Sequence, residues 1–204
     1  MENYKTDKNE IGIDEAGRGP FFGPVYAAAV IWGNAPENDL IKDSKKLSVK
    51  KRKEAIKWIK ENVKGYGVGY SSNEDIDKFG IIGATRKAME KAVNNLIQSG
   101  DFDSKYLVID GIGWKKQDFN FNIDKFDIEP VVKGDAKFRN IAAASILAKD
   151  AHDYHIDEIC NQNIELNEKY DILNNKGYGT KKHIEGIKKY GLSSFHRHSF
   201  NINY

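Results

Sequence analysis

Four carboxylates and one glycine-rich stretch carry most of the chemistry open to this 204-residue chain. Asp14-Glu15, Asp110 and Asp135 each follow a short apolar run, and Gly17-Arg18-Gly19-Pro20 comes directly after the first pair. Four carboxylates drawn together could not all stay ionised without a compensating cation. Hard divalent ions that take oxygen ligands, Mg²⁺ or Mn²⁺ in its place, are the expected partners. Two such ions in one carboxylate site are suited to in-line hydrolysis of a phosphodiester. Taken singly, Asp110 before Gly111 is better explained as a turn former, and Asp135 equally well as a capping residue. Only the joint pattern points to a metal site.

Such a site needs a sheet whose strand ends lie side by side, since neighbouring strands are about 4.8 Å apart. Residues 11–14 begin a strand, the glycine stretch breaks it, and 25–32, rich in Val, Ile, Ala and aromatics, form a second. Ser48 suits the N-cap of a helix over 49–63, where Ile56, Ile59 and Val63 recur at helical spacing. Residues 66–70 alternate Gly with Tyr and Val as a third strand. Ser72 and Asp75 resemble a capping box that opens a short helix, with a longer one over 83–98. Apolar runs at 106–109 and 128–132 are buried strands, ending at Asp110-Gly111 and Lys133-Gly134-Asp135. A helix over 139–160 opens with Ala142-Ala143-Ala144-Ser145, small enough to lie close on a sheet, and a last helix spans 180–190. The order of elements predicts an α/β fold, a mixed sheet covered by helices on both faces.

Composition sets limits. Hydrophobic residues make up 40% and charged residues 30%, ordinary for a globular chain. No apolar run approaches the roughly 20 residues that cross a bilayer. The single cysteine, Cys160, rules out an internal disulfide framework and a Cys-based zinc site, and a reducing cytoplasmic setting is expected. The net charge of +2 conceals two basic stretches: residues 42–64 hold ten Lys/Arg against three Asp/Glu, and 174–204 hold six against one. These suit a polyanion, though solvated helix faces explain them equally well. Gly17, Gly19 and Gly23 lack dinucleotide-fingerprint spacing and feed a strand rather than a helix.

Several stretches together resemble the ribonuclease HII family. They are Gly12-Ile13-Asp14-Glu15-Ala16-Gly17-Arg18-Gly19-Pro20, Asp43-Ser44-Lys45-Lys46-Leu47-Ser48, Val108-Ile109-Asp110-Gly111, Lys133-Gly134-Asp135, the run 142–149, Lys176-Gly177-Tyr178-Gly179-Thr180 and His196-Arg197-His198-Ser199-Phe200. The resemblance implies a ribonuclease H-like mixed sheet with a helical C-terminal extension from about residue 165. The expected layout is one catalytic domain over 10–204 after a flexible tail over 1–9. It implies cleavage of RNA in RNA/DNA hybrids and 5′ to ribonucleotides embedded in duplex DNA, leaving 5′-phosphate and 3′-hydroxyl ends. Asp14, Glu15, Asp110 and Asp135 would be the catalytic acids holding Mg²⁺ or Mn²⁺, two ions per site. Gly17, Arg18 and Gly19 would sense the ribose 2′-hydroxyl through backbone groups. Tyr178 would stack on the neighbouring sugar, and Lys45 and Lys46 would hold phosphates. A monomer acting on nucleic acid, with no membrane association, is the corresponding expectation.

Two departures stand out: Phe21-Phe22 replaces a small or aliphatic pair, and the stretch between Asp110 and Lys133 is long. The aromatic-Gly-Pro run also resembles ribonuclease HIII, although Arg18 and Pro20 favour HII. A non-catalytic duplex-binding protein would use the same basic stretches without needing the acids. His196 and His198 read as capping or phosphate-facing residues rather than a metal pair, Asp153 as a supporting residue, and Trp32, Trp58 and Trp114 as packing.

Overall fold

The computed structural model describes residues 1–2, 4, 9–41, 47–120 and 126–202. Five strands form one mixed sheet in the order β3-β2-β1-β4-β5. β1 (Ile11–Ala16) and β2 (Val25–Ile31) pair antiparallel around the glycine stretch, and β3 (Gly65–Ser71) extends the meander. β4 (Tyr106–Asp110) and β5 (Asp127–Val131) continue it in parallel on the other side of β1, but β5 is the edge strand and none of its residues is buried, unlike the buried strand expected there. Parallel pairing of β1 with β4 brings their C-terminal ends, and the acids on them, to one edge of the sheet.

Alternation along the strands divides the core. Ile11 and Ile13 of β1, Ala27 and Ala29 of β2, and Leu107 and Ile109 of β4 belong to one apolar layer with α2 (Asn73–Gln98). Ala28 and Val30 face the other way, towards α1 (Val49–Asn62) and the alanine run of α3 (Arg139–Gln162). The Ser48 and Ser72 side chains cap α1 and α2 as expected. The short and long helices expected after Ser72 are the two parts of α2, which Gly80 separates with a non-helical φ of 69° and ψ of 163°.

A third apolar cluster lies outside the sheet. Ile156, Ile159 and Cys160 of α3 pack with α4 (Ile164–Tyr170), α5 (Ile172–Asn175) and α6 (Lys181–Tyr190), and with Phe22 from the glycine loop. Helices α4 and α5 carry little periodic signal because they are only seven and four residues long. Asp171 at φ 56° makes the break between them. The unusual Phe21-Phe22 pair finds its reason in this cluster. Phe22 is fully buried against Phe195, at 5.8 Å between ring centroids, and fastens the loop to the C-terminal segment. Near the N-terminus, Glu2 bridges to Phe138 and the Tyr4 ring meets the Phe138 ring edge-on at 5.2 Å. No helix among the described residues is long and apolar enough to cross a membrane.

Gly67 on β3 sets how closely α2 approaches the sheet. A Cβ there would lie 2.2 Å from the Ala92 carbonyl oxygen and 2.4 Å from the Leu96 nitrogen, so helix backbone would have to retreat. Gly67→Ala is expected to destabilise the fold by about 1–3 kcal/mol. Thermal melting should show this as a fall of about 2–4 °C for each kcal/mol; an unchanged midpoint would mean that α2 is not seated on Gly67.

Candidate active site at the sheet edge

Asp14 sits near the end of β1 and Asp110 at the end of β4, on adjacent parallel strands where Ile13 is in register with Ile109. Because Ile13 and Ile109 both enter the α2 layer, alternation turns Asp14 and Asp110 to the α3 face. Asp135 lies beyond β5, in the 3₁₀ turn Gly134–Ala136, rather than on the strand itself. That turn is tied back to β4: the Gly134 N–H donates to Asp110 Oδ1 at 2.6 Å, and the Asp135 N–H reaches the same oxygen at 3.4 Å. The backbone of one candidate ligand thus orients the side chain of another.

Asp14, Glu15, Asp110 and Asp135 line a common pocket of about 420 Å³ with Gly17, Arg18, Gly19, Ser145, Lys149 and Tyr178. All the described residues expected to form the site therefore meet in one place. Lys45 and Lys46 lie outside the described residues. Arg18 Nη1 donates to Glu15 Oε1 at 3.2 Å from an exposed position, so the pair contributes little to stability.

The electrostatics of this pocket favour a cation. Burial, then the charges of Glu15 and Asp110, push the Asp14 carboxyl well above the ordinary 3.8, against opposing hydrogen bonds from Ser145 and the Glu15 N–H. Like charges that raise one another's pKa are the condition a divalent ion relieves, and oxygen donors alone suit Mg²⁺ or Mn²⁺. Among the described residues no three His, Cys, Asp or Glu side chains close into a ready-made cage. An open carboxylate arrangement fits an ion that keeps several waters and shares substrate phosphates.

Residues that sequence reasoning left out of the site support it. Ser145 and Lys149 of α3 line the pocket, and in the sequence they stood only within the motif run 142–149, with no role of their own. Lys149 Nζ donates to Asp153 Oδ1 at 2.8 Å and lies 5.9 Å from the Tyr178 ring centre. Asp153 also bonds His152 and Arg52. Burial alone would raise its carboxyl, but hydrogen bonds to His152 and Lys149 hold it down at about 2. Gly17, at φ 89°, admits the His152 ring, which would lie 2.4 Å from any Cβ there.

Arg197 shapes the glycine loop from beneath. It is fully buried, and its five N–H groups meet five carbonyl oxygens: Nε that of Gly23, Nη1 those of Arg18 and Pro20, and Nη2 those of Gly17 and Pro24, at 2.6–3.1 Å. Burial lowers its pKa to about 10, still far above neutrality. His196 beside it is also fully buried rather than facing a phosphate, and the His198 N–H donates to Asp77.

The family model described as Ribonuclease HII matches residues 11–203. The chain is similar to the ribonuclease HII of Clostridioides difficile (strain 630), at 44% identity over 206 residues, covering 100% of this chain and 75% of that protein. Its fold is similar to the RNase HII of Archaeoglobus fulgidus, solved as a complex with PCNA, with a TM-score of 0.69, 22% identity and 96% of both chains covered. It is also similar to Bst-RNase HIII, solved in complex with Mn²⁺, with a TM-score of 0.65 and 21% identity over 89% of this chain and 62% of that one.

Two measurements probe this geometry. Because the folded-state pKa of Asp14 lies above 3.8, its proton favours the folded protein below that pH, and this contribution is lost as pH rises through the folded value. Without divalent metal, Asp14→Asn should therefore melt above the unsubstituted protein at neutral pH, and the gap should close towards acid and on adding Mg²⁺. A lower melting point at neutral pH would contradict the crowding of charge. Arg197→Lys leaves three donors for five carbonyls and should cost about 3–5 kcal/mol. Hydrogen exchange should show lost protection at the Phe21 and Gly23 amides; retained protection would show that the loop does not depend on the guanidinium.

Proposed function

The chain belongs to the ribonuclease HII family, and on that premise we propose that it is a divalent-metal-dependent endonuclease acting on RNA paired with DNA. It cuts the RNA strand of RNA/DNA hybrids and incises 5′ to single ribonucleotides embedded in duplex DNA, leaving 5′-phosphate and 3′-hydroxyl ends. The observation that carries this reading is the meeting of four carboxylates, the glycine loop and Tyr178 around a single pocket.

Asp14, Glu15, Asp110 and Asp135 would hold Mg²⁺ or Mn²⁺, two ions in this reading. Bound there, the metal supplies charge neutralisation at the scissile phosphate and an acidified water. The chain's own residues do the positioning. Asp110 is pre-aimed by the Gly134 N–H, so little reorganisation is left for the reaction itself. Backbone groups of Gly17, Arg18 and Gly19 read the ribose 2′-hydroxyl, the atom that separates RNA from DNA. The bonds from Arg197 to the carbonyls of Gly17, Arg18, Pro20, Gly23 and Pro24 turn the loop's acceptors inward, which helps fix its outward-facing groups. The half-exposed Tyr178 ring offers a flat face to the adjoining sugar, and Lys149 brings a positive charge beside it. Lys45 and Lys46 belong to the same reading as phosphate-holding groups.

The rival within the wider family is a hybrid-cutting enzyme of the HIII type, and one assay separates the two. On a labelled DNA duplex carrying one internal ribonucleotide, cleavage 5′ to that nucleotide is expected with Mg²⁺ or Mn²⁺ and none with chelator. Cutting only on longer RNA tracts favours the HIII type, and binding without turnover favours a duplex-binding module. Asp14→Asn should reduce cleavage at least about a hundredfold, or about 2.7 kcal/mol of transition-state stabilisation, while leaving duplex affinity largely intact. Magnesium-dependent cleavage surviving in that variant, with contaminating nuclease excluded, would sink the assignment.

A further inference from the structure

His183, in the first turn of α6, and His196, in the C-terminal segment, are both fully buried, and their Nε2 atoms lie 3.0 Å apart. The two outer nitrogens determine where the protons are. The Ser193 backbone N–H donates to His196 Nδ1 at 2.9 Å, so that nitrogen carries no proton. His183 Nδ1 lies 2.9 Å from the Tyr178 carbonyl oxygen, which can only accept, so this nitrogen does carry one. Only one arrangement then satisfies the middle: His196 Nε2–H donates to the lone pair of His183 Nε2. Both rings are neutral, with His196 in the Nε2–H form and His183 in the Nδ1–H form.

The surroundings favour this state. Phe22 and Tyr170 present ring edges or faces to His196, with centroids 5.2 and 4.8 Å away. Burial pushes both imidazoles below their usual pKa, His196 to about 3. A further proton would set two N–H groups face to face or displace the Ser193 amide.

We propose that His183 and His196 are positioning residues that act through Tyr178. Their neutral relay fixes the Tyr178 carbonyl and so the backbone from which the ring reaches into the pocket. That carbonyl also accepts from the Thr180 N–H at 2.8 Å, and the Tyr178 N–H donates to Asn175 at 3.0 Å, so the peptide is held on both sides. The relay starts in the segment that fastens the glycine loop. The Gly23 N–H donates to the Phe195 carbonyl at 2.8 Å, and the Arg197 N–H donates to the Phe21 carbonyl at 2.8 Å. Residues 193–197 therefore set both substrate-facing parts of the pocket, the loop from one side and Tyr178 from the other. The proposal rests on the reading of Tyr178 as a substrate contact, and its two tests separate the claims.

The first test needs no substrate. Imidazole ¹⁵N NMR of the unsubstituted protein at neutral pH should show both rings neutral and in opposite tautomers; a charged ring, or two rings of the same tautomer, overturns the relay. The second is a double-mutant cycle on the single-ribonucleotide duplex. His183→Phe keeps a planar ring and removes both bonds. It is expected to raise KM about tenfold with kcat changed less than about twofold. In a Tyr178→Ala background the same substitution should have no further effect on KM, because its route is already gone. An unchanged KM, a loss confined to kcat, or an undiminished effect without Tyr178 overturns the proposal. Should His183→Phe fail to fold by circular dichroism, His196→Phe goes through the same cycle with the same criteria. If the unsubstituted protein cuts neither duplex, the functional reading fails, and the relay is judged by the NMR result alone.

Discussion

One buried guanidinium organises the glycine loop that lines the pocket. The loop between β1 and β2 turns several carbonyl oxygens away from water, and buried carbonyls without donors are costly. Arg197 meets five of them with its full set of five N–H groups. Burying its charge costs several kcal/mol, which the charge-assisted bonds offset only if nearly all are made. The loop and the C-terminal segment therefore form together. Phe22 against Phe195, and the Gly23 N–H on the Phe195 carbonyl, reinforce the same closure. Phe21-Phe22, which looked like a departure in the sequence, supplies apolar surface where the loop meets the extension.

The carboxylate side of the pocket obeys a different constraint, the crowding of negative charge. Parallel pairing of β1 with β4 puts Asp14 and Asp110 on one face at one edge, and the turn after β5 adds Asp135. Burial and the charges of Glu15 and Asp110 push the Asp14 carboxyl above its ordinary range, a cost the fold has to bear. It can do so because the layers beneath are well packed. Ile13 and Ile109 anchor the two strands in the α2 layer, while the alanines of α3 close over the opposite face. A divalent cation would remove the repulsion, and its binding would then be coupled to stability through the same carboxylates.

Much of the fold could be read directly from the chain. Alternating and apolar runs marked all five strands, Ser48 and Ser72 marked helix starts, and the alanine run marked the helix that lies on the sheet. The readings fell short where local signal was weak. Helices α4 and α5 were too short to show a period, and their stability comes from packing on α3 and α6 rather than from their own residues.

By itself the sequence determined which acids stand at strand ends and where glycines break the chain, because both depend on neighbours a few residues away. Ordered motifs along the whole length added the family and the expected substrate. Tertiary structure alone decided what holds those features in place. The bond from Arg197 to Gly17 spans 180 residues of sequence, and that between His183 and His196 joins a helix to a separate segment. No local pattern distinguishes a buried arginine that satisfies a loop from a surface arginine that meets a phosphate. The difference lies in which carbonyls the folded chain leaves without water, and only folding settles that. The acids were visible from the start, whereas the buried bonds of Arg197, His183 and His196 beneath the glycine loop and Tyr178 were not.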